Sequence, residues 1–300
     1  MKIATRSSKL ALAQVHLLMD SLDDKNLDFE IKKLVTEGDK KSAEGQNLFD
    51  KAHFVEDIED SLISKEADVA VHSLKDMSAI DRDGLEIFAA IAHPARNDVL
   101  IYRDGVNLKD ISSIHIGTSS LRRKRQCKFF LGNENCTEIR GNIDTRLNKL
   151  HQGEFDAIIL AQAGLNRLKI SVGTTIPKEI MPPAATQGAI AIQSTTNKNN
   201  QYEKDLNNYL FSINDSKTYF EILAERSLLK TLDGSCRSPI SASAYVLEND
   251  HLKLYGAIAR LDGTKVVKSE ITGLKKDAVL LGKNLGIEMI SRANGEVIYK

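Results

Sequence analysis

In VAVHSLKDM, Val69–Met77, a run with the character of a buried strand ends directly in Ser73, Lys75 and Asp76. Open α/β sheets bind ligands at the carboxyl ends of their parallel strands, so these side chains can line a cleft. The plainer reading is a helix-capping serine beside an exposed Lys–Asp pair. In IHIGTSSLRRKRQ, Ile114–Gln126, a strand meets Gly117, and Thr118, Ser119 and Ser120 open a helix. Unpaired amides, hydroxyls and the positive end of a helix dipole make an anion site there, and Arg122 and Arg123 add donors suited to carboxylate or phosphate. The alternatives are a solvated basic face with ordinary caps, or a nucleic-acid contact along Arg122–Arg125. The last lacks a flanking aromatic platform.

EIRGNIDTRLNKL, Glu138–Leu150, repeats the arrangement: Arg140 ends a strand, Gly141 turns the chain, and Arg146 lies in the first turns of the next helix. Arg167 follows the strand DAIILA. Several strand ends of one α/β unit thus deliver arginine to one edge, which implies a ligand with several negative charges. Between Gly117 and Ile170 basic residues outnumber acidic ones two to one, although the 41 basic and 41 acidic residues of the whole chain cancel. Net charge therefore announces neither a nucleic-acid nor a membrane partner.

Cys236, in LLKTLDGSCRSPISA, sits at the tip of a turn beside Arg237. A cation favours thiolate, and a Gly-Ser turn leaves room around the sulfur, so a nucleophilic or covalently modified thiol stands beside the reading of a small buried residue. No histidine partner is evident for thiol hydrolysis. Cys127, within a helix, reads as core. Three cysteines without a C-x-x-C pair argue against a disulfide framework and a zinc site, and fit a reducing cytoplasm.

These residues need elements to hold them. KIAT, DFEIKKLVT and ADVAVHS read as strands separated by the helices SKLALAQVHLLMDSL, with Leu10, Ala13, Leu17 and Leu18 on its apolar face, and HFVEDIEDSLISKE. The pattern restarts after AHPARND with SSIHIG, TEIRG and FDAIILA as strands and TSSLRRKRQCKFFL and NIDTRLNKLHQG as helices. Strands alternating with helices imply parallel sheets. The polar stretch STTNKNNQYEKDLNN reads as a loop leading into a surface helix. From Thr218 a helix, three consecutive strands and a last helix suggest a small α+β domain. No apolar run is long enough to span a membrane, and Arg6 and Lys9 interrupt any signal-peptide core.

In this order, IATRSSKLALAQ, VTEGD, ADVAVHSLKDM, IGTSSLRRKRQ, IRGNIDTRLNKL, DAIILAQAGLNRL, PPAATQGAIAIQS and LDGSCRSPISA resemble the porphobilinogen deaminase (hydroxymethylbilane synthase) family over nearly the whole chain. The resemblance implies two α/β domains like type 2 periplasmic binding proteins plus a smaller C-terminal α+β domain with an antiparallel sheet. Domain 1 would comprise residues 1–92 and 189–212, domain 2 residues 93–188, and domain 3 residues 213–300. It implies a transferase of haem and tetrapyrrole biosynthesis that deaminates and joins four porphobilinogen molecules head to tail on a covalent dipyrromethane, then releases hydroxymethylbilane.

On this resemblance Cys236 carries the dipyrromethane through a thioether and Asp76 is the catalytic carboxylate. Ser73, Lys75, Ser119, Ser120, Arg122 and Arg123 would hold the cofactor, and Arg6, Arg140, Arg146 and Arg167 the substrate. No metal is expected, nor a nucleic-acid or membrane partner, and the family implies a cytoplasmic monomer. A polycarboxylate-binding or sensor protein on the same scaffold is the alternative, with no use for Cys236 or Asp76. Departures from the family pattern are Met77-Ser78 after the aspartate, Ser235 before the cysteine, and Thr186 in Thr186-Gln187-Gly188. A fourth is a lid, NLFDKAHF, that retains only Lys51 and Phe54.

Overall fold

The computed structural model describes residues 1–22, 28–35, 55–91, 95–106, 110–196, 200–234 and 238–293. They divide into two compact units: Met1–His93 with Gly188–Tyr219, and Pro94–Gln187 with Phe220–Lys300.

In the first unit, β1 (Lys2–Arg6), β2 (Glu30–Leu34) and β3 (Val69–Ser73) are parallel, with β1 in the middle. Helix α1 (Lys9–Ser21) starts at Ser8, whose hydroxyl accepts the Ala11 N–H, a side-chain N-cap. It buries Ala11, Gln14, Val15 and Leu18. Of the expected face only Leu18 is fully covered, and Leu17 is exposed, because sheet packing selects the stripe one residue along from Leu10 and Leu17. Val15, Leu18, Val69 and Val71 form the core on that side, and α2 (Glu56–Ile63) covers the other with Ile58 and Leu62.

Two strands complete the sheet in the order β2-β1-β3-β10-β4: β4 (Leu85–Ile91) and β10 (Ile190–Thr195), which runs antiparallel to both neighbours. The alternation of strands and helices implied a purely parallel sheet. The mixed sheet arises because β10 returns from far along the chain to pair Ile190 with Ser73. The stretch expected as a loop before the surface helix is shorter than expected. Ser194 and Thr195 belong to β10, and α6 (Gln201–Ser212) begins on the Asn200 cap.

The second unit repeats the plan. β6 (Ile116–Gly117), β7 (Cys136–Thr137) and β8 (Ala157–Ala161) are parallel, and β5 (Asp98–Tyr102) is the antiparallel insert next to β9 (Thr174–Thr175). Here the inserted strand comes early in the segment instead of late. Helices α3 (Leu121–Leu131), α4 (Ile143–His151) and α5 (Gln162–Arg167) follow β6, β7 and β8. Helix α7 (Ser216–Thr231), the antiparallel strands β11 (Ile240–Val246), β12 (His251–Ala259) and β13 (Val266–Leu274), and α8 (Ala278–Arg292) form a layer with its own core. That core includes Leu228, Ala242, Leu254, Leu285 and Met289. The fold is thus two mixed five-stranded α/β sheets plus a small three-stranded antiparallel sheet. Among the described residues no helix is long and apolar enough to cross a membrane.

Candidate functional site

β1 and β3 run in the same direction, so Arg6 and Ser73 stand at one sheet edge. Beyond Ser73 the chain makes one 3₁₀ turn, Leu74–Asp76. Buried Leu74 anchors it, with its N–H on the Ala189 carbonyl at 3.1 Å. Gln14 of α1 donates to the Ser73 hydroxyl at 2.7 Å. The turn therefore starts from two fixed points, and Lys75 and Asp76 are half-buried on it. Arg6, half-buried, shares this edge with Ser73, Lys75 and Asp76. One residue back, His72 is buried, which pushes its imidazole down to about 4 and keeps it neutral at pH 7.

In the second unit the carboxyl ends of β6, β7 and β8 form another edge. Past β6, the Ser119 hydroxyl donates to the Ile139 carbonyl and the Ser120 hydroxyl caps α3 through the Arg123 N–H. Past β7, which is shorter than TEIRG suggests, Arg140 lies in the connection rather than on the strand and pairs with Glu138 at 3.0 Å. Gly141 follows with φ +103°, where a Cβ would stand 2.6 Å from Thr145 Cγ2, so only glycine fits. Its carbonyl accepts Arg146 Nε at 2.7 Å. Past β8, Arg167 ends α5, and burial alone pushes its guanidinium down to about 10. Ser119, Ser120, Arg140 and Arg146 thus follow the strand ends on this edge, and Arg167 lies at the far end of the helix that leaves β8.

Arg122 and Arg123 have a different environment. Both are buried, and their Nη2 atoms each donate to Asp98 at 2.7 Å, on opposite carboxylate oxygens. Arg122 Nη1 donates to the Pro182 carbonyl and to Gln126, and Arg123 Nη1 to the Ile159 carbonyl. Gln187 adds a third donor to Asp98 at 2.9 Å. Burial by itself would raise the Asp98 carboxyl, but the two guanidinium groups outweigh it and hold the acid well below the usual carboxylate range. Sequence reasoning passed over Asp98; the available signal was a charged residue opening the otherwise apolar strand DVLIY. Cys236, with Ser235 and Arg237, lies outside the described residues, as do most of VTEGD and the lid residues Lys51 and Phe54.

A family model for "Porphobilinogen deaminase, dipyromethane cofactor binding domain" matches residues 1–203, and one for the deaminase's C-terminal domain matches residues 219–291. The chain belongs to the porphobilinogen deaminase family. Similar curated proteins named porphobilinogen deaminase include that of Brevibacillus brevis, 39% identical over 99% of this chain and 96% of that protein. That of Deinococcus radiodurans is 36% identical over 99% and 97%. Among solved structures, the periplasmic VFT2 domain of Bordetella pertussis BvgS is similar with a TM-score of 0.43 and 16% identity, over 73% of this chain and 89% of that one.

The chain is accordingly an enzyme, a transferase of tetrapyrrole biosynthesis, with a dipyrromethane cofactor-binding domain. The donor chemistry in the second unit fits such a group. Hydroxyls and half-buried guanidinium groups on fixed turns suit a ligand rich in carboxylates.

Proposed function

We propose that the chain is a hydroxymethylbilane synthase, which deaminates four porphobilinogen molecules, joins them head to tail and releases the linear tetrapyrrole. Family membership and the placement of Ser119, Arg140 and Arg146 just past the carboxyl ends of β6 and β7 support this reading. A dipyrromethane held through the Cys236 sulfur supplies, when bound, the pyrrole end that substrate units extend.

Each pyrrole of the substrate carries an acetate and a propionate. Arg140 and Arg146, on either side of the turn at Gly141, and Arg167 at the end of α5 bind these carboxylates, with Arg6 doing the same in the first unit. Ser73, Lys75, Ser119 and Ser120 hold the cofactor's side chains. Arg122 and Arg123 serve the same site by fixing the start of α3 to Asp98, which keeps Ser119 and Ser120 in place.

Asp76 is the catalytic carboxylate. Loss of ammonia leaves a cation delocalised over the substrate pyrrole, and a carboxylate on a fixed turn stabilises it without reorganising. It can also exchange protons with the pyrrole N–H groups. The three-domain division at 1–92 with 189–212, 93–188 and 213–300 belongs to the same proposal, supported by a core that the last segment supplies except for Ala185. So does a cytoplasmic monomer acting on a small molecule, not on nucleic acid or a membrane; the balanced charge supports the choice of partner.

The test is ammonia release from porphobilinogen by the purified chain. One ammonia per porphobilinogen consumed, four for each linear tetrapyrrole released, is expected. Binding of porphobilinogen with no ammonia released would instead favour a polycarboxylate-binding protein without chemistry.

A further inference from the structure

Thr186 lies in the connection between β9 and β10, buried, with φ +58°. The Gln187 N–H returns to the Ala184 carbonyl at 3.1 Å, which closes a four-residue turn with Thr186 at its third position. Positive φ there is ordinary for glycine and costly for a β-branched residue, whose Cβ crowds the following carbonyl. The Thr186 hydroxyl donates only to the carbonyl of its neighbour Ala185, at 2.7 Å, so it adds no distant anchor.

The anchor is Glu225 of α7, which is 1% exposed. Its Oε2 accepts the Thr186 N–H at 2.5 Å. Its Oε1 accepts the Ala244 N–H of β11 at 2.6 Å and Arg96 Nη1 at 2.7 Å. Each of these partners is a donor, so the group is a carboxylate, fixed by a helix on one side and a strand on the other. A residue in a sparsely populated backbone region persists only where its surroundings over-determine it, and Glu225 supplies that constraint at Thr186. The next side chain along, Gln187, donates from Nε2 to the Arg96 carbonyl at 2.6 Å and to Asp98 Oδ1 at 2.9 Å. Asp98 in turn holds Arg122 and Arg123 at the start of α3.

We propose that Glu225 is a positioning residue: it holds Thr186 in a strained turn and so sets Gln187 against Asp98 and the arginines that open α3. The effect reaches Ser119 and Ser120, and this part rests on reading those serines as cofactor ligands. A glutamine at 225 has one acceptor oxygen. Arg96 and the Ala244 N–H together claim it, which turns the amide NH2 towards the Thr186 N–H and releases the turn. The strained φ then relaxes and carries Gln187 away from Asp98. Glycine at 186 takes the same φ without strain, so the turn no longer needs its anchor.

The experiment compares Thr186→Gly with Thr186→Ala, each in the wild type and in Glu225→Gln, by urea denaturation and by intact mass of the full-length protein after incubation with porphobilinogen. Both single variants lose the buried threonine side chain, so their difference reads the backbone alone. Glycine should give the higher urea midpoint, the reverse of the order at an ordinary position. Glu225→Gln should lower the fraction of chain that gains two linked pyrrole units by at least about threefold, and adding Thr186→Gly, but not Thr186→Ala, should restore it. A merely structural Glu225, whose loss strands Arg96, would leave the defect unchanged by glycine at 186. The proposal is overturned if the alanine variant is at least as stable as the glycine variant, or if Thr186→Gly fails to restore loading in Glu225→Gln. A wild type that gains no pyrrole units would instead count against the transferase reading, while the order of the two urea midpoints still decides whether the turn is strained.

Discussion

Arg123 and Asp98 are joined by a 2.7 Å hydrogen bond inside the second unit, with neither side chain more than 8% exposed. Arg122 completes the arrangement on the other carboxylate oxygen. Removing the charge from Asp98 leaves two buried cations uncompensated, so Asp98→Asn should destabilise the protein by about 3–5 kcal/mol. Urea denaturation of the variant measures this; a loss below about 1 kcal/mol would show that the guanidinium groups find other partners. Because the folded Asp98 is a stronger acid than the unfolded one, its contribution is complete above the unfolded value near pH 4 and declines as pH falls further.

His72 gives a second pH dependence in a different window. Its folded value of about 4 lies below its ordinary 6.5, so on acidification the unfolded chain takes up a proton before the folded one does. Stability from this residue is full above about pH 6.5 and falls by about 3 kcal/mol towards pH 4. Glu59, raised by its own burial, acts in the opposite sense near its titration. His72→Gln should therefore lose less stability than the wild type between pH 6.5 and 4. Parallel urea-midpoint curves for the two proteins would contradict the assignment.

Replacing Arg140 or Arg146 by Leu removes a charge-assisted contact to a substrate carboxylate, worth about 1.5–3 kcal/mol. A ten- to hundredfold loss in porphobilinogen affinity or in cofactor assembly is expected, with the thermal midpoint little changed. Unchanged assembly and kinetics in both variants would remove these arginines from the site.

Much of this organisation was legible in the sequence. The parallel trios and their helices follow from hydrophobic periodicity, and the motifs mark the ends of β3, β6 and β8. Strands β4, β5 and β10 were missed because each pairs antiparallel with a partner remote in sequence or set by topology, and short apolar runs such as LEIFAAI carry no period of their own. Arg122 and Arg123 looked like open donors because Asp98 lies 24 and 25 positions away, and only folding places it beside them.

Asp76→Asn preserves size and most hydrogen bonding while removing the charge. It should fold and accept the cofactor, yet consume porphobilinogen at least about a hundredfold more slowly, the scale expected for a lost electrostatic or acid–base group. Asp76→Glu should fall less. A surface Lys–Asp pair would contribute at most about 1 kcal/mol to stability and nothing to turnover, so retention of more than roughly a third of the wild-type rate would reduce Asp76 to that role.

The central claim is that Cys236 carries a covalent dipyrromethane, and intact-protein mass tests it most directly. The active wild type should exceed its sequence mass by two linked pyrrole units, while Cys236→Ser should have the unmodified mass and form no product. Cys127→Ser and Cys136→Ser should keep the adduct. An active wild type of unmodified mass, or a Cys236→Ser protein that still carries the adduct, would contradict the account.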